Sequence, residues 1–339
     1  MIRIRTGWLV AALALSTTAG ACKKSENKAA PTAATKTTPG ATAEKAAAGG
    51  AAPATATAAA GDDLGLLPAD SEMVMGLNFA SLQKSPLWKK FVEPQLLKDD
   101  AQKKLTEFKD KCGFDPMSAV TSISLGMKGV GADKPDGVIV VHGPDKGKVL
   151  ACIEKMKDEA AKEGTTLTND NGVVTVKSKD GETMAFTYVN DTTRIGVIGP
   201  TSSPASGVAA AKGGSALKTS PAFVEMYGKI KTGDSMWMLM NGNSPMFEQA
   251  AAIGVKPKAV FGSVNVSDGL AVDLRVRLES AEQATQLAGM AKGQVGQFAK
   301  MVDTLDIAAD AADVKVNVVV SLAKLEALIS QFGGMLGGM

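Results

Sequence analysis

The chain has 339 residues, 45% of them hydrophobic but only 4% aromatic, and its 37 Lys and Arg against 35 Asp and Glu leave a formal charge of +2. A core of this size must therefore be built from Ala, Val, Leu, Ile and Met rather than from rings. Arg3 and Arg5 supply +2 at the start and residues 23–61 hold five Lys against Glu26 and Glu44, so the chain from Asp62 onward carries −3, which excludes the clustered basic surface a nucleic-acid partner needs.

In chain order, Arg3 and Arg5 precede an apolar run from Trp8 to Leu15 that is shorter than a membrane span, and Ala19-Gly20-Ala21-Cys22 follows, then Lys23 and Lys24. A charged start, an apolar centre and small residues before a cysteine resemble the signal of bacterial lipoproteins, although Ala19 stands where that family most often has Leu. The resemblance implies that residues 1–21 are removed and that Cys22 carries lipid as the first residue of the mature protein. By the same resemblance Lys23, which is not the Asp that retains enteric lipoproteins in the inner membrane, implies the outer membrane, facing the periplasm.

Residues 22–61 are Ala, Thr, Lys and Pro without apolar periodicity, a composition that cannot offset its ordering entropy by burial. They read as a disordered tether reaching on the order of 35 Å. Its lysines suit an anionic membrane surface.

The remainder reads as two similar α+β repeats, 62–200 and 201–339. Asp70 to Met75 recurs as Asp234 to Met238, Ser85-Pro86-Leu87-Trp88 as Ser244-Pro245-Met246-Phe247, Gly113 to Pro116 as Gly254 to Pro257, and Asp136-Gly137 with its strand as Asp268-Gly269 with its own. Four blocks in the same order point to an internal duplication. In the first repeat the pattern predicts a strand at Met73 to Phe79, a helix from Pro86, an amphipathic helix at Asp100 to Lys111 ending at Gly113, strands at Val120 to Met127 and Gly137 to His142, and a helix at Lys146 to Lys162. Strands at Leu167 to Lys177, Thr183 to Val189 and Arg194 to Ile198 follow, punctuated by Asn171-Gly172 and Asp180-Gly181. The second repeat predicts a helix from Pro245, strands at Ala259 to Val266 and Leu270 to Leu278 around a tight Ser267-Asp268-Gly269 turn, a helix at Ala281 to Val302, a strand at Val314 to Val320 and a helix at Ala323 to Phe332. This order implies antiparallel sheet with helices packed on one face, in two subdomains meeting near residues 200 to 233.

With Cys22 lipidated, Cys112 and Cys152 remain as an even pair, read as a disulfide in an oxidising compartment or as two buried thiols; alkylation without reductant separates the two.

Groups suited to catalysis are sparse. The one histidine, His142, ends a strand before Gly143-Pro144, and there is no phosphate loop, nucleophile elbow or zinc spacing. Ser81-Leu82-Gln83-Lys84, Tyr188-Val189-Asn190 and Lys231-Thr232-Gly233 resemble in type and order the motifs of penicillin-binding serine hydrolases. That resemblance implies Ser81 as nucleophile, Lys84 as its base, Tyr188 as proton relay and Lys231 as a carboxylate anchor. Met73 and Met75, and Met236, Met238 and Met240, fall at period two on one face of a strand, an arrangement open to Cu(I) or to ordinary core filling. The same strands suit the wall of an acyl-chain cavity. The reading with the fewest demands is a lipid-anchored envelope protein, non-enzymatic and without cofactor or resident metal. It would act by non-covalent binding or scaffolding, with a hydrophobic ligand or an envelope protein as partner.

Overall fold

The structure is a computed structural model describing residues 63–131, 135–212, 217–242, 244, 247, 255–296 and 298–336. The signal, Cys22, the tether, Pro245 and Gly254 lie outside the described residues.

Local chemistry sets the first elements. In β1 (Met73–Leu77) Val74 and Gly76 are buried while Met73, Met75 and Leu77 are half-buried, the alternation a pleat requires. The strand ends two residues before Phe79 because the Asn78 side chain accepts from the Ser81 N–H and caps α1 (Phe79–Lys84). Ser85 then accepts from the Trp88 N–H at 3.1 Å, and helical turns run through Trp88–Val92 and Glu93–Leu96. The chain continues as α2 (Asp99–Cys112), stopped by Gly113 at φ 75°, and α3 (Pro116–Ala119), capped by Asp115.

Next come β2 (Ser122–Lys128), β3 (Asp136–His142) and α4 (Lys146–Lys162), which Asp145 caps. They are followed by β4 (Thr166–Asp170), β5 (Val173–Lys177), β6 (Thr183–Tyr188) and β7 (Thr193–Ile198). The stretch expected as one strand at Leu167 to Lys177 is a hairpin: Asn171 and Gly172 have φ of 50° and 82°, the pair of left-handed residues that a tight turn of this twist needs. Helices α5 (Pro204–Ala211) and α6 (Pro221–Tyr227), each capped by the serine before its proline, fill a region for which the sequence pattern predicted nothing. Then come β8 (Met236–Asn241), β9 (Ala259–Asn265), β10 (Gly269–Arg277) and α7 (Ala281–Gln294), the last shorter than expected. The residues released include a short helical turn at Phe298–Lys300, and β11 (Thr304–Asp310), an unexpected strand, follows; β12 (Asp313–Ser321) and α8 (Leu322–Leu336) come last among the described elements.

All twelve strands join one antiparallel sheet in the order β11-β12-β10-β9-β8-β1-β2-β3-β7-β6-β5-β4. The fold is α+β. Its centre is the β1–β8 pair, where Met75 faces Met238, and from there the order runs outward in matching fashion on both sides. On one side Met75 aligns with Leu125, Ile139, Gly196 and Phe186; on the other Met238 aligns with Gly262, Leu274, Val316 and Ile307. On this register Ile139 corresponds to Leu274, so the Asp136-Gly137 and Asp268-Gly269 blocks sit three positions apart rather than in phase.

Helices lie on both faces, which corrects the expectation of one. Phe186 packs with Phe108, Val149 and Ile153 under α2 and α4, while its neighbour Ala185 points the opposite way, 3.5 Å from where a Cβ on Gly207 of α5 would sit. We call the face bearing Phe186 the front. Its far end is covered by α7, with Ala284 and Ala288 against Ile307 and Val314. The back is covered over its centre by Leu64, Leu67, Leu217, Phe223 and Ile230, packed on Val74, Val140, Ile195, Trp237 and Phe261. Here Gly76 is required: a Cβ would lie 2.2 Å from Nε1 of Trp237, whose indole covers it. Cys112 and Cys152 form a disulfide linking α2 to α4, with a Cα separation of 4.6 Å.

Candidate functional site

The front of the sheet is covered at both ends, and Phe79, Leu82 and Trp88 cover part of β1 to β3; between these covers and α7 the centre is half-buried. Between the α2/α4 cover and α7, three rows cross the centre. Met127, Met73 and Met240 align across β2, β1 and β8; Leu125, Met75 and Met238 form the next row, and Ile123, Leu77 and Met236 the third. Directly opposed side chains of antiparallel strands stand roughly 5 Å apart, so these thioethers are neighbours. Met73, Met75, Leu125, Met127, Met236 and Met238 are all half-buried, whereas Val74, Trp237 and Leu239 on the back are buried. The apolar surface continues over Val264, Val272, Leu274 and Val318, also half-buried. At the Leu77 end Lys90 pairs with Glu326, tying the helical turns after Ser85 to α8. The result is an apolar trough with helices at its margins.

The row through Met75 and Leu125 runs on through Ile139 and Gly196 to Phe186. Beside its end stands Arg194, on the same front face and 5% exposed, with its guanidinium 6.0 Å from the centre of the Phe186 ring. Among the described residues no carboxylate pairs with it, and its Nη1 and the hydroxyl of neighbouring Tyr188 are buried without a hydrogen-bond partner. Burial holds the Arg194 guanidinium below its ordinary value, with the Tyr188 neighbour working against that shift. Burial also pushes the Tyr188 phenol up to about 12, opposed by Arg194. Lys146 at the start of α4 stands 5.8 Å from the centre of the Tyr188 ring.

The predicted site residues fall out as follows. The five methionines come together on one face, joined by Met127, which local pattern did not single out; Met73, Met75, Met236 and Met238 are half-buried there and Met240 is buried. The serine-hydrolase constellation does not assemble. Ser81 lies in α1, which packs on the front through Phe79 and Leu82, and Tyr188 lies four strands from β1, roughly 19 Å away. Lys231 follows α6 and pairs with Asp273 at 3.0 Å; Asp273 lies between the front-face residues Val272 and Leu274 and so points to the back. Nucleophile, relay and anchor are therefore on different parts of the sheet. His142 bridges Asp63 at 2.8 Å and Thr193 at 3.1 Å, clamping the start of the folded chain to the back. Arg194 escaped notice because one arginine in an apolar strand reads as an edge residue; its buried neighbours on both sides carried the signal.

The charged cluster on the back is structural. Arg277 donates to Asp313 at 2.6 Å and to Glu225 at 3.1 Å, and Lys229 pairs with Asp313 at 3.1 Å, pinning α6 to β10 and β12. Arg277 and Lys229 hold the Glu225 carboxyl down at about 2. Burial works to raise Asp313, but the same two cations hold it below its usual value. Among the described residues no group of three His, Cys, Asp or Glu is placed to hold a metal ion, and no helix is long and apolar enough to cross a membrane.

No family model matches the chain, and no curated protein does. Two crystal forms of TP0453 are distantly similar in structure. Form III has a TM-score of 0.49 at 10% identity, covering 79% of this chain and 97% of TP0453. Form I has a TM-score of 0.48 at 10% identity, covering 80% and 97%.

Proposed function

We propose that this is an envelope protein anchored through lipidated Cys22 and held on its tether at the outer membrane, facing the periplasm, where it binds the acyl chain of a lipid without catalysing a reaction. The observation that carries the reading is the half-buried centre of the front face: an apolar trough of Met, Leu and Val left open between covered ends. Contiguous apolar surface left open to water disfavours the free protein, and a ligand chain removes that cost at roughly 25 cal/mol for each Å² it covers. Thioethers suit the task because Met is unbranched and adapts to irregular apolar partners. In this reading the molecule arose by duplication of a half-sheet unit, with the β1–β8 pair as the seam; the matched strand order on its two sides supports this, although the Asp136-Gly137 and Asp268-Gly269 blocks are three positions out of phase. Native mass spectrometry of the full chain, exported and released from a non-ionic detergent, tests the binding claim. Retention of added hexadecanol, lost on Met75→Asp with Met238→Asp, is the expected result. A bare protein under the same conditions would contradict it.

A second reading has its own support. Met127, Met73 and Met240 stand in one cross-strand row, with Met75 and Met238 in the next, and so place soft ligands side by side on one face, a donor set suited to Cu(I). Titration with Cu(I), and with Ag(I) as its redox-inert stand-in, would give a stoichiometric complex lost on Met73→Leu with Met240→Leu. Binding no tighter than in that variant would remove the metal.

A further inference from the structure

We propose that the methionines at the centre of the front face are an oxidation site that controls loading. Hydrogen peroxide converts Met75 and Met238, with Met73, Met127 and Met236 around them, to sulfoxides, and the oxidised face no longer takes up an acyl chain. The proposal rests on the trough reading and adds its regulation. These five side chains stand on three adjacent strands about the β1–β8 seam and are half-buried, within reach of a small oxidant, whereas Met156 beneath α2 and α4 is 3% exposed. The strands beyond them build the same face from another residue type: β9, β10 and β12 place Val264, Val272, Val316 and Val318 there, the branched type that a pleated surface favours. What Met adds over Val is an unbranched chain and an oxidisable sulfur.

The surroundings decide what a sulfoxide does. By register, every side chain that β1, β2, β8, β9 and β10 turn to the front is Met, Leu, Ile or Val, with Gly262 among them. None of these carries a hydrogen-bond donor, and the strand amides are engaged in the ladders, so a sulfoxide oxygen on this face has to accept from water. An acyl chain laid over it strips that water and leaves a buried acceptor unpaired. Met75 and Met238 are directly opposed, roughly 5 Å apart, so two such oxygens share one spot. In the step itself the sulfur attacks one oxygen of hydrogen peroxide. The S–O bond forms as the O–O bond breaks, the sulfur gives up two electrons, and the departing hydroxide takes a proton and leaves as water. A dithiol acting through a methionine sulfoxide reductase reverses the change, giving thioether, disulfide and water. An occupied face is shielded from peroxide and an oxidised face is closed to ligand, so oxidation captures the empty form.

The test uses the full chain in a non-ionic detergent, stripped of ligand, treated with hydrogen peroxide, freed of oxidant and then offered hexadecanol. Native mass spectrometry reads retention, and peptide mass spectrometry reads each methionine, with Met290, 50% exposed on α7, reporting the dose. Retention should fall by about tenfold or more, the order expected when a buried acceptor is left unpaired, and should follow conversion of Met75 and Met238 rather than that of Met290. Far-ultraviolet circular dichroism should not change. Met73→Leu, Met75→Leu, Met127→Leu, Met236→Leu and Met238→Leu combined conserve apolarity and approximate volume, so this variant should retain hexadecanol equally before and after peroxide. Unchanged retention by the unaltered protein with Met75 and Met238 fully converted would overturn the oxidation site and leave the trough intact. An equal loss in the leucine variant would also overturn it, as would a loss of circular dichroism, which would make oxidation damage to the fold. Failure of the untreated protein to retain hexadecanol would instead remove the trough itself.

Discussion

Two parts of the front face are equally apolar and yet differ in what covers them. At the β4–β6 end, Val174 and Phe186 lie under α2 and α4, and Met156 there is 3% exposed. At the centre Met75 and Met238 are half-buried, while Ile139, further along their row, packs with Phe79 of α1. Residue type does not separate the two regions. The covering segments do: α2 and α4 are tied to each other by Cys112–Cys152, whereas the helical turns after Ser85 and α8 are joined through the exposed pair Lys90 and Glu326. A patch that the chain could have covered but leaves open is where a partner belongs.

The largest effect should come from untying the covered end. Replacing Cys112 and Cys152 together by Ala releases a loop with a sequence separation of 40 and should lower stability by about 4 kcal/mol in urea unfolding. Hexadecanol retention should survive, because the trough lies outside that cluster; its loss would merge the two regions into one. Next, Met156→Ala should cost about 3 kcal/mol, the range for a buried methionine, and Met238→Ala about 1 kcal/mol or less. Similar costs would mean that the central methionines are core after all.

How much of this could be read from sequence depends on the element. Helix α4 agrees at both ends, since Asp145 caps it and a clear apolar stripe runs to Ala160. Gly113 stops α2, and Asn171-Gly172 makes its turn. Strand β11 was missed because Thr304 to Asp310 sets only Leu305, Ile307 and Ala309 against Asp and Ala, too weak an alternation beside a helix-rich neighbourhood. Helices on the back were missed because α5 is Ala-rich and buries little beyond Gly207. For the site, period two placed each set of methionines on one face of its own strand. Only the β1–β8 pairing, which joins residues more than 150 positions apart, puts both sets on the same face of one sheet. No local pattern contains that information.

Smaller perturbations sharpen the contrast with the back of the sheet. Gly76→Ala forces a Cβ against the Trp237 indole and should cost about 2 kcal/mol, the usual price of overpacking, measured by the same unfolding curve. Acid should act on the charged clasp first. Glu225 is held at about 2 against an ordinary 4.5, so its contribution is whole above about pH 4.5 and disappears as the pH falls toward 2. Because Glu225 is exposed and screened, Glu225→Gln should flatten the stability profile between those values only slightly, and less in high salt. A profile unchanged by the substitution would mean that α6 is held by Asp313 and packing alone.

The most direct test of the half-buried centre is the rate at which peroxide oxidises each methionine, read by peptide mass spectrometry with and without hexadecanol. The account predicts that Met73, Met75, Met236 and Met238 oxidise well before Met156 and slow down when hexadecanol is present. Equal rates across the five, or rates at the centre that hexadecanol leaves untouched, would contradict it.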